Sequence, residues 1–282
     1  MTQPGDGLTT PVPEEHFFLS RPVIENLERI KRLAGQHPVN VLVSGPQGCG
    51  KSTLVRQFAA RHQRPLATFQ IGILSEPGQL FGEYRLTDGK TEYQEFLFPR
   101  AVRTPGCVIH LEEINRPEHP KALNMLFSIL SDDRSVWTDE LGLVEVAEEV
   151  IFFATLNEGE EFAGTEMLDA ALADRFYVTM LNYLPPAVEA EVLRKKGRIT
   201  GAEAQTLVNI ANKLRTNAQE PVTVSTRHAL MMAEMMAAGA SVKEAITYSL
   251  PLDRDTLESA LLSLHLETGA RETWREDDYQ SY

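Results

Sequence analysis

Gly45-Pro46-Gln47-Gly48-Cys49-Gly50-Lys51-Ser52 satisfies the pattern G-x-x-x-x-G-K-[ST]. It follows an apolar run, Val39-Asn40-Val41-Leu42-Val43, and precedes a helical pattern, Thr53-Leu54-Val55-Arg56-Gln57-Phe58-Ala59-Ala60. Strand, loop, helix is the context in which this pattern has a chemical meaning. The glycines let successive backbone N–H groups turn towards phosphate oxygens, and the helix that begins there adds the positive end of its dipole. Lys51 reaches the terminal phosphates, and Ser52 offers a hydroxyl to Mg²⁺. Gly45 through Thr53 is therefore the expected cradle for a nucleoside triphosphate. The competing reading is a glycine-rich strand-to-helix turn without a ligand.

Working outward, 282 residues with 43% hydrophobic side chains provide for one α/β domain and a smaller partner domain. Lys and Arg number 27 against 40 Asp and Glu, and the net charge of -13 repels nucleic acid unless a basic patch is concentrated somewhere. DNA or RNA is thus disfavoured as the main ligand. The two cysteines, Cys49 and Cys107, form no disulfide framework, which fits a reducing, cytoplasmic setting. No apolar run is long enough to span a bilayer and the N-terminal residues lack a signal-peptide pattern, so neither membrane insertion nor secretion is expected.

Residues 1–16, rich in Pro, Gly and Thr, read as a tail that is mobile unless something holds it. Phe17-Phe18-Leu19 then leads into a helical recurrence of Val23, Ile24, Leu27, Ile30 and Leu33 that Gly35 and Pro38 end. The phenylalanines fill the base of the core or lie against adenine. Leu66-Ala67-Thr68-Phe69-Gln70-Ile71 is a strand candidate, and Asp88-Gly89 between alternating flanks signals a hairpin. Gly106 to Arg116 holds a buried apolar strand that ends in two acids, Glu112 and Glu113. Behind a phosphate loop, such a pair suits a metal-nucleotide site: one carboxylate for Mg²⁺ and one to orient and polarise the attacking water.

The phosphate loop, the hairpin, Leu111-Glu112-Glu113-Ile114-Asn115-Arg116, the strand Val150-Ile151-Phe152-Phe153-Ala154-Thr155-Leu156-Asn157 and the run from Gly164 to Phe176 together resemble the MoxR and dynein-related branch of AAA+ ATPases, over about residues 17 to 250. The resemblance implies an α/β fold: a P-loop three-layer AAA+ core with a mostly parallel sheet and inserted β-hairpins, followed by a smaller all-helical lid. It implies ATP and Mg²⁺ as ligands. Glu113 matches the acid that activates water. Glu112 stands where the family normally has Asp at the Mg²⁺ site, and the extra methylene moves the carboxylate and could slow hydrolysis. Asn157 matches the polar sensor, the alternative being a cap on the following turn. Arg175 matches the arginine finger that reaches the nucleotide of the adjacent subunit, the alternative being a salt bridge beside Asp174. A finger acting in trans implies a ring, most often a hexamer.

Ser135 to Val146 reads as two short strands about a turn and corresponds to the hairpin this branch carries before the sensor strand. Both hairpins are expected to project from one face of the ring, where Tyr84, Tyr93 and Trp137 either grip a substrate or simply stabilise the hairpins. Leu184-Pro185-Pro186 marks a boundary, giving an expected nucleotide-binding domain over 17–183, a helical lid over 184–265 and an acidic tail over 266–282. Helices are expected from Val188, around Ala204 to Leu214, and from Ser225 or Thr226, with Arg227 at the family's second-sensor position. Met231, Met232, Met235 and Met236 read as lid core or a partner groove, and Arg194 to Arg198 as a solvated helix end. The favoured function is a ring ATPase that remodels a protein partner, and the resemblance implies a companion with a von Willebrand A-type fold. An ATP-gated platform with little hydrolysis and a nucleic-acid motor or GTP-driven nuclease subunit are the alternatives.

Overall fold

In the computed structural model, which describes residues 8–87, 89–157, 168–216 and 222–264, the uninterrupted apolar runs become the centre of a parallel sheet. Strands β1 (Val39–Gly45), β2 (Leu66–Gln70), β5 (Val108–Glu112), β8 (Ile151–Asn157) and β9 (Tyr177–Met180) lie in the order β2-β5-β8-β1-β9, all pairs parallel. Parallel strands need helical crossovers, which cover both faces and explain why β1, β5 and β8 carry apolar residues at successive positions. Leu42, Ile109, Leu111, Phe152 and Ala154 point into one core layer with α3 (Leu97–Val102), α4 (Asn124–Ile129) and the short α5 (Ala170–Ala173). Val41, Val43, Val108, Ile151 and Phe153 point into the other, with α1 (Arg21–Ala34) and α2 (Lys51–Arg61). The result is the expected three-layer arrangement.

Two hairpins leave this sheet. β3 (Gly82–Thr87) and β4 (Lys90–Glu95) pair antiparallel with Thr87 opposite Lys90, so the connection is the two-residue loop expected from Asp88-Gly89; Gly89 has φ 77°, and Asp88 itself lies outside the described residues. β6 (Ser135–Thr138) and β7 (Gly142–Glu145) form the second. Leu8 to Glu15, read as mobile unless held, has its holds: Leu66 N–H donates to the Thr9 carbonyl at 3.0 Å, and the Glu14 N–H donates to Gln57 Oε1 at 3.0 Å. The Thr9 bridge covers the outer edge of β2, which pairs only with β5 on its other side. The expected acidic tail, 266–282, and Gly164 to Met167 lie outside the described residues.

The chain divides into two compact units after Tyr183. The second is all helical: α6 (Pro186–Lys196), α7 (Gly201–Arg215), α8 (Thr226–Ala237), α9 (Val242–Ser249) and α10 (Arg254–Ser263). Capping boxes open α7 at Thr200, α8 at Ser225 and α9 at Ser241. Leu193, Leu207, Val208, Ala211, Met232 and Ile246 give this unit its own core. Within it Glu189 is fully buried, yet it receives Arg215 Nη1 and Nη2 at 2.9 and 2.8 Å and Thr226 Oγ1 at 2.9 Å. The paired charge fixes the first turn of α8, where exposed Arg227 follows Thr226. No helix among the described residues is long and apolar enough to cross a membrane.

Candidate functional site

β1 stops at Gly45 and α2 starts at Lys51, with Gly50 at the helix N-cap in the left-handed region, φ 101°. A side chain there is strained by the backbone alone, and its Cβ would stand 3.3 Å from the Phe17 ring. Phe17 therefore packs beneath the loop as part of the core around α1 and α2. Lys51 is almost buried, and its ammonium donates to the Gly45 and Pro46 carbonyls at 2.8 Å each. The Gln47 carbonyl accepts from the Tyr183 hydroxyl at 3.2 Å.

The two acids lie beside this loop because β5 ends next to the start of α2. Ser52 Oγ donates to Glu112 Oε1 at 2.5 Å, and Gln70 Nε2 donates to Glu112 Oε2 at 2.5 Å. Gln70 is the register partner of Glu112 on the neighbouring strand. Both oxygens of the longer carboxylate are thus oriented by side chains, one of them the hydroxyl of the phosphate loop. Glu113 leaves the strand with φ 54°, an uncommon conformation for a residue with a Cβ. Thr155 supports that turn: its hydroxyl accepts from Glu113 N–H at 3.3 Å, and its carbonyl accepts from Ile114 N–H at 3.0 Å. Asn157 Nδ2 donates to Glu113 Oε1 at 3.1 Å, and Arg116 Nη1 lies 3.7 Å from Oε2. Parallel pairing sets Asn157 opposite Gly45, so Asn157 stands between the acid and the loop.

His110 sits under this group with Nε2 3.2 Å from Thr155 Oγ1. Burial pushes its pKa down to about 4, against an upward pull from Glu112 and with a smaller downward push from Arg56. A neutral ring that carries its proton on Nδ1 accepts the Thr155 hydroxyl proton at Nε2 and leaves the hydroxyl oxygen for Glu113 N–H, whereas the other tautomer donates to that oxygen. Thr155→Val, which keeps the shape and removes the hydroxyl, is expected to lower turnover about ten-fold to a hundred-fold by loosening Glu113 while leaving nucleotide affinity near that of the parent. Steady-state turnover beside equilibrium nucleotide binding checks this, and unchanged turnover contradicts it.

Arg175 is elsewhere. Its carbonyl accepts from Asn40 Nδ2 at 3.0 Å, and Asn40 lies near the amino end of β1, five strand residues or roughly 16 Å before Gly45. The guanidinium lies 5.3 Å from the Phe127 ring centroid, Nη1 donates to the Ala171 carbonyl, and Nε has no partner among the described residues. It borders a polar cavity of 480 Å³ with His37, Asp132 and Asp174. No ion pair joins Arg175 to Asp174 among the described residues, contrary to the competing sequence reading. Asn40 also donates to the Leu130 carbonyl at 2.9 Å and accepts from buried Arg134 Nη1 at 2.8 Å. Arg134 immediately precedes β6, and its carbonyl accepts the Val146 N–H at 2.8 Å, so the base of the second hairpin and the Arg175 peptide share one hydrogen-bonded network. Burial lowers the Arg134 pKa to about 10, which leaves it charged at neutral pH.

Lys51, Ser52, Glu112, Glu113 and Asn157 are therefore brought together at the carboxyl ends of β1, β5 and β8, whereas Arg175 is not among them and Arg227 belongs to the helical unit. Gln70, Thr155, Asn40 and Arg134 escaped the sequence reading. Asn40 is a buried polar residue in an apolar run, a signal that marks a buried hydrogen bond without naming its partner; Gln70 is exposed at the end of β2 and carries no such signal.

A phosphate loop on the inner strand of a parallel sheet, an acid pair on a neighbouring strand and a separate helical unit define the AAA+ class of P-loop proteins. Residues 40–176 match the AAA domain of the dynein-related subfamily, and residues 189–261 match the CbbQ/NirQ/NorQ C-terminal domain. BssE of Thauera aromatica, whose name marks it as a candidate chaperone, is 63% identical over 262 residues, covering 93% of this chain and 92% of that protein. NorQ of Paracoccus denitrificans is 29% identical over 217 residues, covering 76% of this chain and 79% of NorQ. A point mutant of RuvB from Thermotoga maritima shares the fold, with a TM-score of 0.59 at 16% identity over 92% of this chain and 86% of that one. The chain belongs to the MoxR-like, dynein-related branch of the AAA+ ATPases.

Proposed function

We propose that this chain is a Mg²⁺-dependent, ATP-hydrolysing ring ATPase that remodels, activates or assembles a protein partner. The observation that carries the reading is the meeting of Ser52 with Glu112 and of Asn157 with Glu113 beside the Lys51 loop. Gly45 through Thr53 bind the phosphates, with Lys51 supplying the positive charge. The Ser52 hydroxyl and the Glu112 carboxylate are the hard oxygen donors that suit Mg²⁺, which when bound neutralises phosphate charge. Glu113 takes the proton of the attacking water, and Asn157 holds the carboxylate in position for it. Gln70 and Thr155 are positioning residues, one for each acid.

Arg175 does not complete the site of its own chain in this reading, because it stands at the amino edge of the sheet and the loop at the carboxyl edge. It neutralises transition-state charge at the nucleotide of the adjacent copy, so the active site is shared and a ring, of six copies by family resemblance, is the working form. Arg227 reports nucleotide state to the helical unit. The companion is a protein with a von Willebrand A-type domain, and the setting is the cytoplasm, in keeping with two free cysteines. The name of BssE supports the chaperone role.

An ATP-gated platform with scarce hydrolysis is the second reading, favoured by Glu in the place of Asp with both oxygens already hydrogen-bonded. Turnover separates the two. The ring-ATPase reading expects Mg²⁺-dependent hydrolysis of ATP, on the order of 1 s⁻¹ per site or slower, that rises on addition of a co-purifying protein partner and vanishes with chelator. Nucleotide binding with no turnover under oligomeric conditions, with the partner present, contradicts it and selects the platform.

A further inference from the structure

The two hairpins border a cleft of 420 Å³ that is lined by aromatic and acidic side chains. Tyr84 and Trp137, one on each hairpin, are 63% and 67% exposed, a large amount for aromatic rings. Tyr84 lies directly opposite Tyr93 on the paired strand, with ring centroids 5.3 Å apart in an edge-to-face arrangement. The Tyr93 ring takes its place over Gly82: a Cβ there would collide with the Gln94 carbonyl oxygen and come within 2.5 Å of the ring, so glycine admits both the paired backbone and the ring. Across the cleft, the turn of the second hairpin supplies Asp139 and Glu140, and Glu76 lines the floor. The Glu140 carboxylate is near enough to the Tyr84 hydroxyl to raise its pKa.

Charge decides what fits. Among the described residues no Lys, Arg or His lines the cleft and neither Asp139 nor Glu140 has a cationic partner, whereas Glu83, which also lines it, is paired with Arg85 at 2.5 Å. Both tyrosine hydroxyls are held above the usual phenol range, by desolvation first and then by Glu140. The faces of Tyr and Trp attract cations, and adjacent carboxylates add charge-assisted hydrogen bonds. Anions are repelled by the same groups.

We propose that the cleft between the hairpins is a docking site for a lysine or arginine side chain presented by the protein partner. The proposal rests on the reading of this chain as acting on a protein, and it names the chemistry by which that protein is recognised. Because Arg134 and Val146 join the base of the second hairpin to the Asn40 and Arg175 network, an occupied cleft has a covalent and hydrogen-bonded path to the finger.

The chain has two tryptophans, so full-length protein carrying Trp274→Phe reports Trp137 fluorescence alone. The probes are ten-residue peptides alternating glycine with lysine, arginine, serine or glutamate, and free spermine. The lysine or arginine peptide is expected to shift Trp137 emission saturably and to bind about ten-fold or more tightly than the serine peptide, with the glutamate peptide silent. Asp139→Asn with Glu140→Gln is expected to remove about ten-fold of that affinity. The charge-matched pair Asp255→Asn with Glu258→Gln, exposed residues of α10, is expected to leave it unchanged. Tyr84→Ala with intact circular dichroism is expected to weaken it as well. Equal binding of serine and lysine peptides, equal loss in the α10 control, or spermine binding as tightly as the peptides overturns the proposal. The readout needs neither nucleotide nor turnover, so a failed titration leaves the ATPase reading standing and a failed ATPase assay leaves the cleft standing.

Discussion

Glu113→Gln is expected to bind ATP with the affinity of the parent and to turn it over about 10²-fold to 10⁴-fold more slowly. The substitution is nearly isosteric. Asn157 Nδ2 still finds an amide oxygen where it now meets Glu113 Oε1 at 3.1 Å, and the left-handed turn at φ 54° is supported from Thr155 through backbone groups that the change does not touch. What disappears is the carboxylate proposed to take a proton from water. The loss should therefore fall on turnover and leave binding alone, the signature of an interaction made only in the transition state. Because the triphosphate persists, the proposed ring is expected to be more stable than that of the parent, read by light scattering after size-exclusion chromatography. Hydrolysis at the parental rate removes Glu113 from the mechanism.

Lys51→Ala is expected to weaken nucleotide binding by at least about 10²-fold, the scale of losing two or more charge-assisted hydrogen bonds to phosphate. Lys51 is almost buried, and its ammonium lies against the Gly45 and Pro46 carbonyls within the loop. The truncation removes that charge without removing a core side chain, since Leu54 and Val55 supply the apolar packing of the same helix. Titration with a fluorescent ATP analogue checks the binding, with circular dichroism confirming the fold. Parental affinity would show that the loop does not hold the terminal phosphates.

The parts legible in the sequence are those in which neighbours in space are neighbours in the chain. The phosphate loop is eight consecutive residues between a strand and a helix, Asp88-Gly89 fixes a two-residue hairpin locally, and Glu112 and Glu113 close a single strand. The capping boxes at Thr200 and Ser241 were open to the same local reading, although α9 and α10 were covered only by the general expectation of helices after Pro186. Ser225 is the N-cap of α8, choosing between the two candidates.

What was not legible depends on strand order or on backbone angle. β9 has four residues, three of them exposed, and offers no clear alternation, although it is the edge strand beside β1. Short α3 contains Pro99 and short α4 is a single six-residue piece, both below the length at which helical periodicity declares itself. Gln70 meets Glu112 only because β2 pairs with β5 in that register, and Thr155 meets Glu113 only because that residue turns left-handed. The position of Arg175 at the opposite edge of the sheet from the loop follows from parallel pairing and from Asn40, which no motif marks.

The central claim, that one triphosphate is handled by residues of two copies, is tested most directly by mixing subunits. Arg175→Ala alone and Glu113→Gln alone are each expected to be nearly inactive, and rings formed from both should recover turnover wherever a parental Glu113 faces a parental Arg175. Recovery to roughly a quarter of the parental rate in an equal, random mixture is the expected scale, given independent sites. A mixture that forms rings and hydrolyses no faster than the separate variants contradicts the shared site.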